Sequence, residues 1–180
     1  MLRAQVIVLI RKHKLSLQNS ILLQNAYKDL ACSAHWLRPL AVTLTLKQGR
    51  ELGTGVWKYL DRNTARTAIL YFFNELDRRC YPKIKGKRSG KTTRFVVIEG
   101  GKGIRWHYHL LIDCPPHVEP AIFAAWIREI WTKAIWGYNQ IDIQPADIGW
   151  LEYMLKLDSK IDYSDCVELI ACHGLSGDKL

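Results

Sequence analysis

His107 and His109 stand two residues apart with Tyr108 between them, and Glu99 precedes the pair by eight positions. Further along, Tyr153 and Lys156 are three residues apart. Two imidazoles at i and i+2 of a strand point to one face and can share a metal ion. A tyrosine and a lysine at i and i+3 of a helix also share a face. A metal ion draws charge out of a phosphodiester, a tyrosine attacks it, and a nearby cation balances the developing charge. The residue types therefore describe phosphoryl transfer through a tyrosine.

That chemistry needs elements to hold the groups. Arg94 to Glu99 and Arg105 to Asp113 read as strands, and Gly100, Gly101 and Gly103 turn the chain between them. A hairpin centred on Gly103 sets Glu99 directly across from His107, and cross-strand partners present their side chains to one face. His109 joins that face, whereas Trp106, Tyr108 and Leu110 go to the opposite one, under the helices. One carboxylate and two imidazoles with open positions suit Mg²⁺ or Mn²⁺, and Mn²⁺ is the better match to two imidazoles. The same donors also make catalytic zinc sites. A His-x-His pair arises by chance on many strands, and the register with Glu99 is what makes a site of it. Gly101, His107, His109 and Asp113 partly follow the spacing of cupin metal sites. Cupins are all-β, and helical patterns flank this motif on both sides.

The remaining elements follow from periodicity. Ala41 to Lys47 alternates as a half-buried strand does. Asp61 or Asn63 caps a helix running to about Arg79, with Ala68, Tyr71, Phe72 and Leu76 buried. A helix from about Glu119 to Ala134 carries the stripe Ile122, Trp126 and Ile130. Tyr138 to Ile143 is a further strand, and Asp147 caps the helix that bears Tyr153. The order β-α-β-β-α-β-α predicts an α+β fold, an antiparallel sheet of split βαβ (ferredoxin- or RRM-like) topology. Helices cover one face, and the other is free for a substrate. Residues 1–40 are an N-terminal extension with a helix over Leu15 to Ala34, and the domain proper spans 41–180. Past Ile161 the pattern allows one short strand or helix.

On the helix bearing Tyr153, the core stripe is Ile148, Leu151 and Leu155. At about 100° per residue Tyr153 falls nearly opposite that stripe, with Lys156 beside it. A phenol with a pKa of about 10 is a weak nucleophile at neutral pH, and the lysine is placed to help it. Tyr163 is a second candidate nucleophile without an accompanying motif.

Lysine and arginine number 26 against 17 acidic residues, a net charge of +9 with a pI near 9.4. This balance points to a polyanionic partner, most simply nucleic acid. Lys83, Lys85, Lys87, Arg88, Lys91 and Arg94 crowd the segment before the metal hairpin, and Arg105 lies within it. They are the candidate phosphate contacts. The five cysteines form no CxxC pair and are odd in number, as expected of reduced thiols. The apolar run between Arg3 and Arg11 is too short to span a bilayer and has no cleavage site, so a cytoplasmic protein with no membrane partner is expected. Gly86-Lys87-Arg88-Ser89-Gly90-Lys91-Thr92 imitates a phosphate-binding loop but is one residue short and precedes a strand, so no ATP site is expected.

At these motifs the chain resembles the HUH endonucleases, and within them the rolling-circle replication initiators, or Rep proteins. Val42-Thr43-Leu44-Thr45 is similar to their first motif, His107-Tyr108-His109 to the His-hydrophobic-His signature, and Tyr153-Met154-Leu155-Lys156 to the Tyr-x-x-Lys nucleophile motif. Glu99 falls where many Rep proteins place a third metal ligand. The likeness covers roughly residues 41 to 158. It implies an HUH fold, Mg²⁺ or Mn²⁺ as cofactor, single-stranded or hairpin origin DNA as substrate, and a 5′-phosphotyrosine intermediate. Relaxases of the wider family usually carry a third histidine in place of a glutamate such as Glu99. Nothing after residue 158 resembles the helicase domain of larger viral Rep proteins, which makes a host helicase a candidate partner. Two other readings stay open: a transposase with a single tyrosine, and a non-catalytic RRM-like module in which Tyr108 is an exposed stacking platform.

Overall fold

The computed structural model describes residues 17–84, 87–88, 90–101, 103–147, 149–157, 160 and 163–175. Lys85, Ile148 and residues 1–16 lie outside the described residues, and so do the side chains of Lys87 and Arg88. Helix α1 (Leu17–Cys32) leads into strand β1 (Pro39–Leu46), a small hairpin of β2 (Gly49–Glu51) and β3 (Trp57–Tyr59), and helix α2 (Arg62–Cys80). A second small pair, β4 (Lys83–Ile84) and β5 (Lys87–Arg88), precedes strands β6 (Arg94–Gly101) and β7 (Ile104–Asp113). Helix α3 (Pro120–Lys133), strand β8 (Gly137–Pro145), helix α4 (Trp150–Met154) and a 3₁₀ turn (Tyr163–Asp165) follow.

The main sheet has the order β6-β7-β1-β8 and every neighbouring pair is antiparallel. β1 and β6 run parallel with β7 inserted between them, which is the split βαβ arrangement. The chain is thus an α+β protein compatible with an RRM-like or HUH-type fold.

Alternation in the strands sends Val42, Leu44, Leu46, Val96, Ile98, Tyr108 and Leu110 to one face, where all are essentially buried. Helices α2 and α3 cover this face. Trp131 of α3 is fully buried, packs edge-on against Phe72 and Tyr108, and donates its indole N–H to the Thr45 carbonyl at 2.8 Å. Helix α2 starts where the Asp61 side chain accepts the Thr64 N–H at 2.7 Å. Its buried row is Ala65, Ala68, Ile69, Phe72, Phe73 and Leu76, whereas Tyr71 is half exposed, contrary to the sequence reading. In α3 the buried row is Phe123, Ile127, Ile130 and Trp131, so Ile122 lies outside it.

The opposite face is not left open across the whole sheet. Phe95 and Val97, which share it with Glu99, are fully buried. Their cover comes from α1, α4 and the segment 163–175. The Gln24 amide of α1 donates to the Leu155 carbonyl at 2.7 Å, Tyr27 packs against Tyr163, and Lys28 pairs with Glu152. The segment after the 3₁₀ turn hydrogen-bonds along the edge of β6 through bridges at Val97–Val167 and Arg94–His173. Leu23, Tyr27 and Leu30 of α1 belong to the same buried cluster as the sheet. Among the described residues no helix is long and apolar enough to cross a membrane.

Candidate active site

In the β6–β7 hairpin Glu99 pairs with His107 and Val97 with His109. On the other side of β7, Thr43 pairs with His109 and Thr45 with His107. The predicted register therefore places Glu99, His107 and His109 on one face. Their donor atoms all lie within 4.8 Å of one another. His107 Nε2 and His109 Nε2 are 3.0 Å apart, and Glu99 Oε2 lies 3.8 and 3.5 Å from them.

The orientation of both rings is fixed from behind. His107 Nδ1–H donates to the Arg105 carbonyl at 2.8 Å, and His109 Nδ1 is paired with the Thr43 hydroxyl at 3.1 Å. With Nδ1 so engaged, each Nε2 presents a lone pair to the shared space. Two ring lone pairs and a carboxylate oxygen this close repel one another unless a cation lies among them. An ion about 2.1 Å from each donor needs donor separations of roughly 3.0–3.4 Å, close to those observed. Burial also holds the His109 pKa below the usual histidine value, the main cause being desolvation, opposed in part by Glu99. The imidazole is kept neutral, as a ligand must be. This cluster could hold a divalent metal ion, and Thr43 gives the first sequence motif a physical role as a support for His109.

Tyr153 sits on α4, which is five residues long. Gly149 is the N-cap, and Asp147 acts one step earlier by accepting the Gly149 N–H at 3.0 Å. Trp150 and Met154 are buried, and the Trp150 indole N–H donates to the Leu110 carbonyl at 3.0 Å, pinning the helix to β7. Tyr153 is 46% exposed, and its ring stacks on Trp150 at 5.3 Å. It also meets the His109 ring edge-on at 5.2 Å, while Lys156 Nζ lies 4.6 Å from the tyrosine ring centre. Tyr153 and Lys156 thus stand beside the histidines. A groove of about 500 Å³ opens next to them, lined by Thr43, Asp142, Gln144, Trp150 and Tyr153 among others.

One central residue gave no signal in the sequence. Lys160 is 1% exposed and places Nζ 2.8 Å from Glu99 Oε2. It follows no motif and lies in a stretch without periodicity. Thr43 and Trp150 likewise became site residues only through the strand pairing and the packing of α4.

The expected basic contacts separate. Lys83, Lys91 and Arg105 are exposed. Lys83 and Lys91 precede β6, at the end of the sheet remote from Glu99. Arg94 does not belong with them. It is buried, pairs with Asp77 at 2.9 Å, donates to the Ala171 carbonyl at 2.8 Å, and lies 4.2 Å from the Phe73 ring centre. Its parity with Val96 and Ile98 turns it into the helix-covered core. Tyr108 is fully buried beneath Trp131, which overturns its reading as an exposed stacking platform. Tyr163 is buried too, and its hydroxyl donates to the Leu155 carbonyl at 2.8 Å, so it is no second nucleophile.

An antiparallel α+β sheet carrying this Glu-His-His cluster is what a Rep-like replication protein requires. The family model for replication-associated proteins of the ORF2 type matches residues 39–162, from the first residue of β1 to beyond Lys160. The chain belongs to that replication-associated protein family. Comparison with curated proteins and with solved structures yields no significant match.

Proposed function

We propose that the protein is an HUH-type endonuclease and strand-transferase that nicks single-stranded DNA and initiates rolling-circle replication. The observation that carries this reading is the contact between Tyr153 and His109, which sets an exposed phenol beside a buried Glu-His-His cluster. Glu99, His107 and His109 would hold Mg²⁺ or Mn²⁺. When bound, the ion supplies charge withdrawal from the scissile phosphate.

The chain's own residues do the rest. Tyr153 Oη attacks phosphorus, the bond to the 3′ oxygen breaks, and the phenolic proton ends on that oxygen. The products are a 5′-phosphotyrosyl link and a free 3′-hydroxyl. One phosphodiester replaces another, so little free energy is lost and the reverse step rejoins ends. Lys156, close to the Tyr153 ring, offsets negative charge on the phenol oxygen. The adjoining groove has no lysine or arginine among its lining residues. It suits a base better than a phosphate, with Thr43, Asp142 and Gln144 offering polar contacts. Exposed Lys83, Lys91 and Arg105 are proposed to meet phosphates further along the strand.

The test is a covalent adduct. Single-stranded fragments tiled across the DNA flanking the coding sequence are incubated with the protein and Mn²⁺, then resolved under denaturing conditions. One fragment should yield a protein–DNA adduct that disappears with chelator, in Tyr153→Phe and in His109→Ala. Undiminished adduct in Tyr153→Phe would rule out the nucleophile, and adduct formation without metal would rule out the metal role.

A further inference from the structure

Every residue from Glu51 to Tyr59 is exposed, including Trp57 at 60% and Tyr59 at 76%. This stretch is the β2–β3 hairpin with its tip, where Gly53, Thr54 and Gly55 all have positive φ, at 97°, 56° and 79°. Arg50 stands directly opposite Lys58, and Glu51 opposite Trp57. Side chains alternate between faces along a strand, so the two cations share one face of the ribbon, and Trp57 and Tyr59 share the other. Across from Tyr59 is Gly49, and the tyrosine ring lies flat over it, close enough that a Cβ at Gly49 would meet a ring carbon at 3.3 Å.

Neither feature helps the fold. Like charges directly opposite one another weaken an antiparallel pair, and two large rings in water forgo burial. Both features make sense together against one ligand. Unpaired nucleobases stack on exposed aromatic rings, and the phosphates between them need cations. Arg50 and Lys58 also lie 6.0 Å from the Trp136 ring, which spaces them without neutralising them. The carboxylate on the hairpin, Glu51, is occupied by the Gly55 N–H at 3.1 Å.

The ribbon is tied to the site. Gln48, at its root, accepts the N–H of Trp106, the neighbour of His107, at 3.0 Å. Gly49 is four residues along from Thr45, the strand partner of His107, a reach of at most about 14 Å. We propose that the β2–β3 hairpin is a platform for the single-stranded DNA flanking the scissile phosphate. Trp57 and Tyr59 stack its bases, and Arg50 and Lys58 reach around the ribbon edge to its phosphates. The proposal rests on the reading of the site as a DNA-nicking centre.

Binding is measured by fluorescence anisotropy in the full-length Tyr153→Phe protein, with oligonucleotides bearing 2-aminopurine at successive positions across the nicked region. The Trp57→Ala/Tyr59→Ala variant should bind at least tenfold more weakly, and should lose the 2-aminopurine quenching at one or two flanking positions. Trp57→Phe/Tyr59→Phe, which keeps the stacking surfaces, should retain both. Arg50→Ala/Lys58→Ala should flatten the plot of log affinity against log salt by about 0.7 per lost contact. Unaltered affinity and quenching in the double alanine variant would overturn the platform while leaving the nicking reading intact. Loss of self-association in that variant with unaltered DNA binding would also overturn it and assign the rings to a second copy of the chain. Failure of the starting protein to bind single-stranded DNA at all would sink both readings.

Discussion

Lys160 Nζ lies 2.8 Å from Glu99 Oε2, the same oxygen that faces both metal-directed ring nitrogens. The ammonium keeps Glu99 ionised and fixes its rotamer in a place where an unpaired carboxylate would be costly. It also sets a second positive charge beside any ion bound there.

Replacing Lys160 by Met should therefore act in two directions. The metal-free protein should lose about 3 kcal/mol of stability, since the buried Glu99 carboxylate loses this cation. Mn²⁺ should bind at least several-fold more tightly, because a repelling charge is gone. Chemical denaturation with and without Mn²⁺, together with calorimetric titration, reads both. Weaker metal binding in this variant would mean that orientation of Glu99 matters more than charge.

Thr43 supports His109 from the neighbouring strand at 3.1 Å. Thr43→Val keeps the shape and removes the hydroxyl. Second-layer partners of metal-bound histidines are worth roughly 10- to 100-fold in affinity, and a loss in that range is expected in a Mn²⁺ titration, with the melting temperature little changed. An unaltered affinity would leave Thr43 as an ordinary strand residue.

Arg94 is a structural residue in this fold. Arg94→Met should cost about 3–5 kcal/mol, because Asp77 would remain buried without its charge partner. DNA affinity and its salt dependence should be unaffected once folding is restored at low temperature. A reduced salt slope would return Arg94 to the DNA-contacting set.

The thiols differ sharply in their surroundings. Burial pushes the Cys80 and Cys166 thiols up to about 12 and raises Cys114, whereas Cys32 is exposed. At pH 8 the buried thiols are almost wholly protonated and shielded, and the thiolate is the reactive form. Ellman's reagent should titrate one fast thiol in the native protein, lost in Cys32→Ser, and all five after denaturation. Raising the pH to 9 should recruit no further fast thiol.

The metal ligands were legible because a two-residue period and a glycine turn leave little freedom: pairing near Gly103 dictates that Glu99 meets His107. The helix stripes were less so. In α3 the sequence Ala121 to Trp131 is apolar at adjacent positions, so the rows through Ile122 and Phe123 differ by one step and look alike. Filling the space beside Phe72 with Trp131 decides between them. The second cover over the sheet did leave a trace, since β6 is apolar at four consecutive positions from Phe95 to Ile98, the mark of a strand buried on both faces. The parity of Arg94 with Val96 and Ile98 was equally readable and told against a solvent role. Lys160 left no trace, because tertiary packing alone brings the segment after α4 back to Glu99.

The arrangement of the site along the chain also sets an order of assembly during synthesis. All three metal ligands come from one hairpin, whereas Tyr153, Lys156 and Lys160 are translated about fifty residues later. At roughly 5–20 residues per second, the ribosome spends several seconds with the ligands made and the nucleophile still to come. A nascent chain can thus begin folding around its sheet well before it is able to cut the DNA of the cell that makes it.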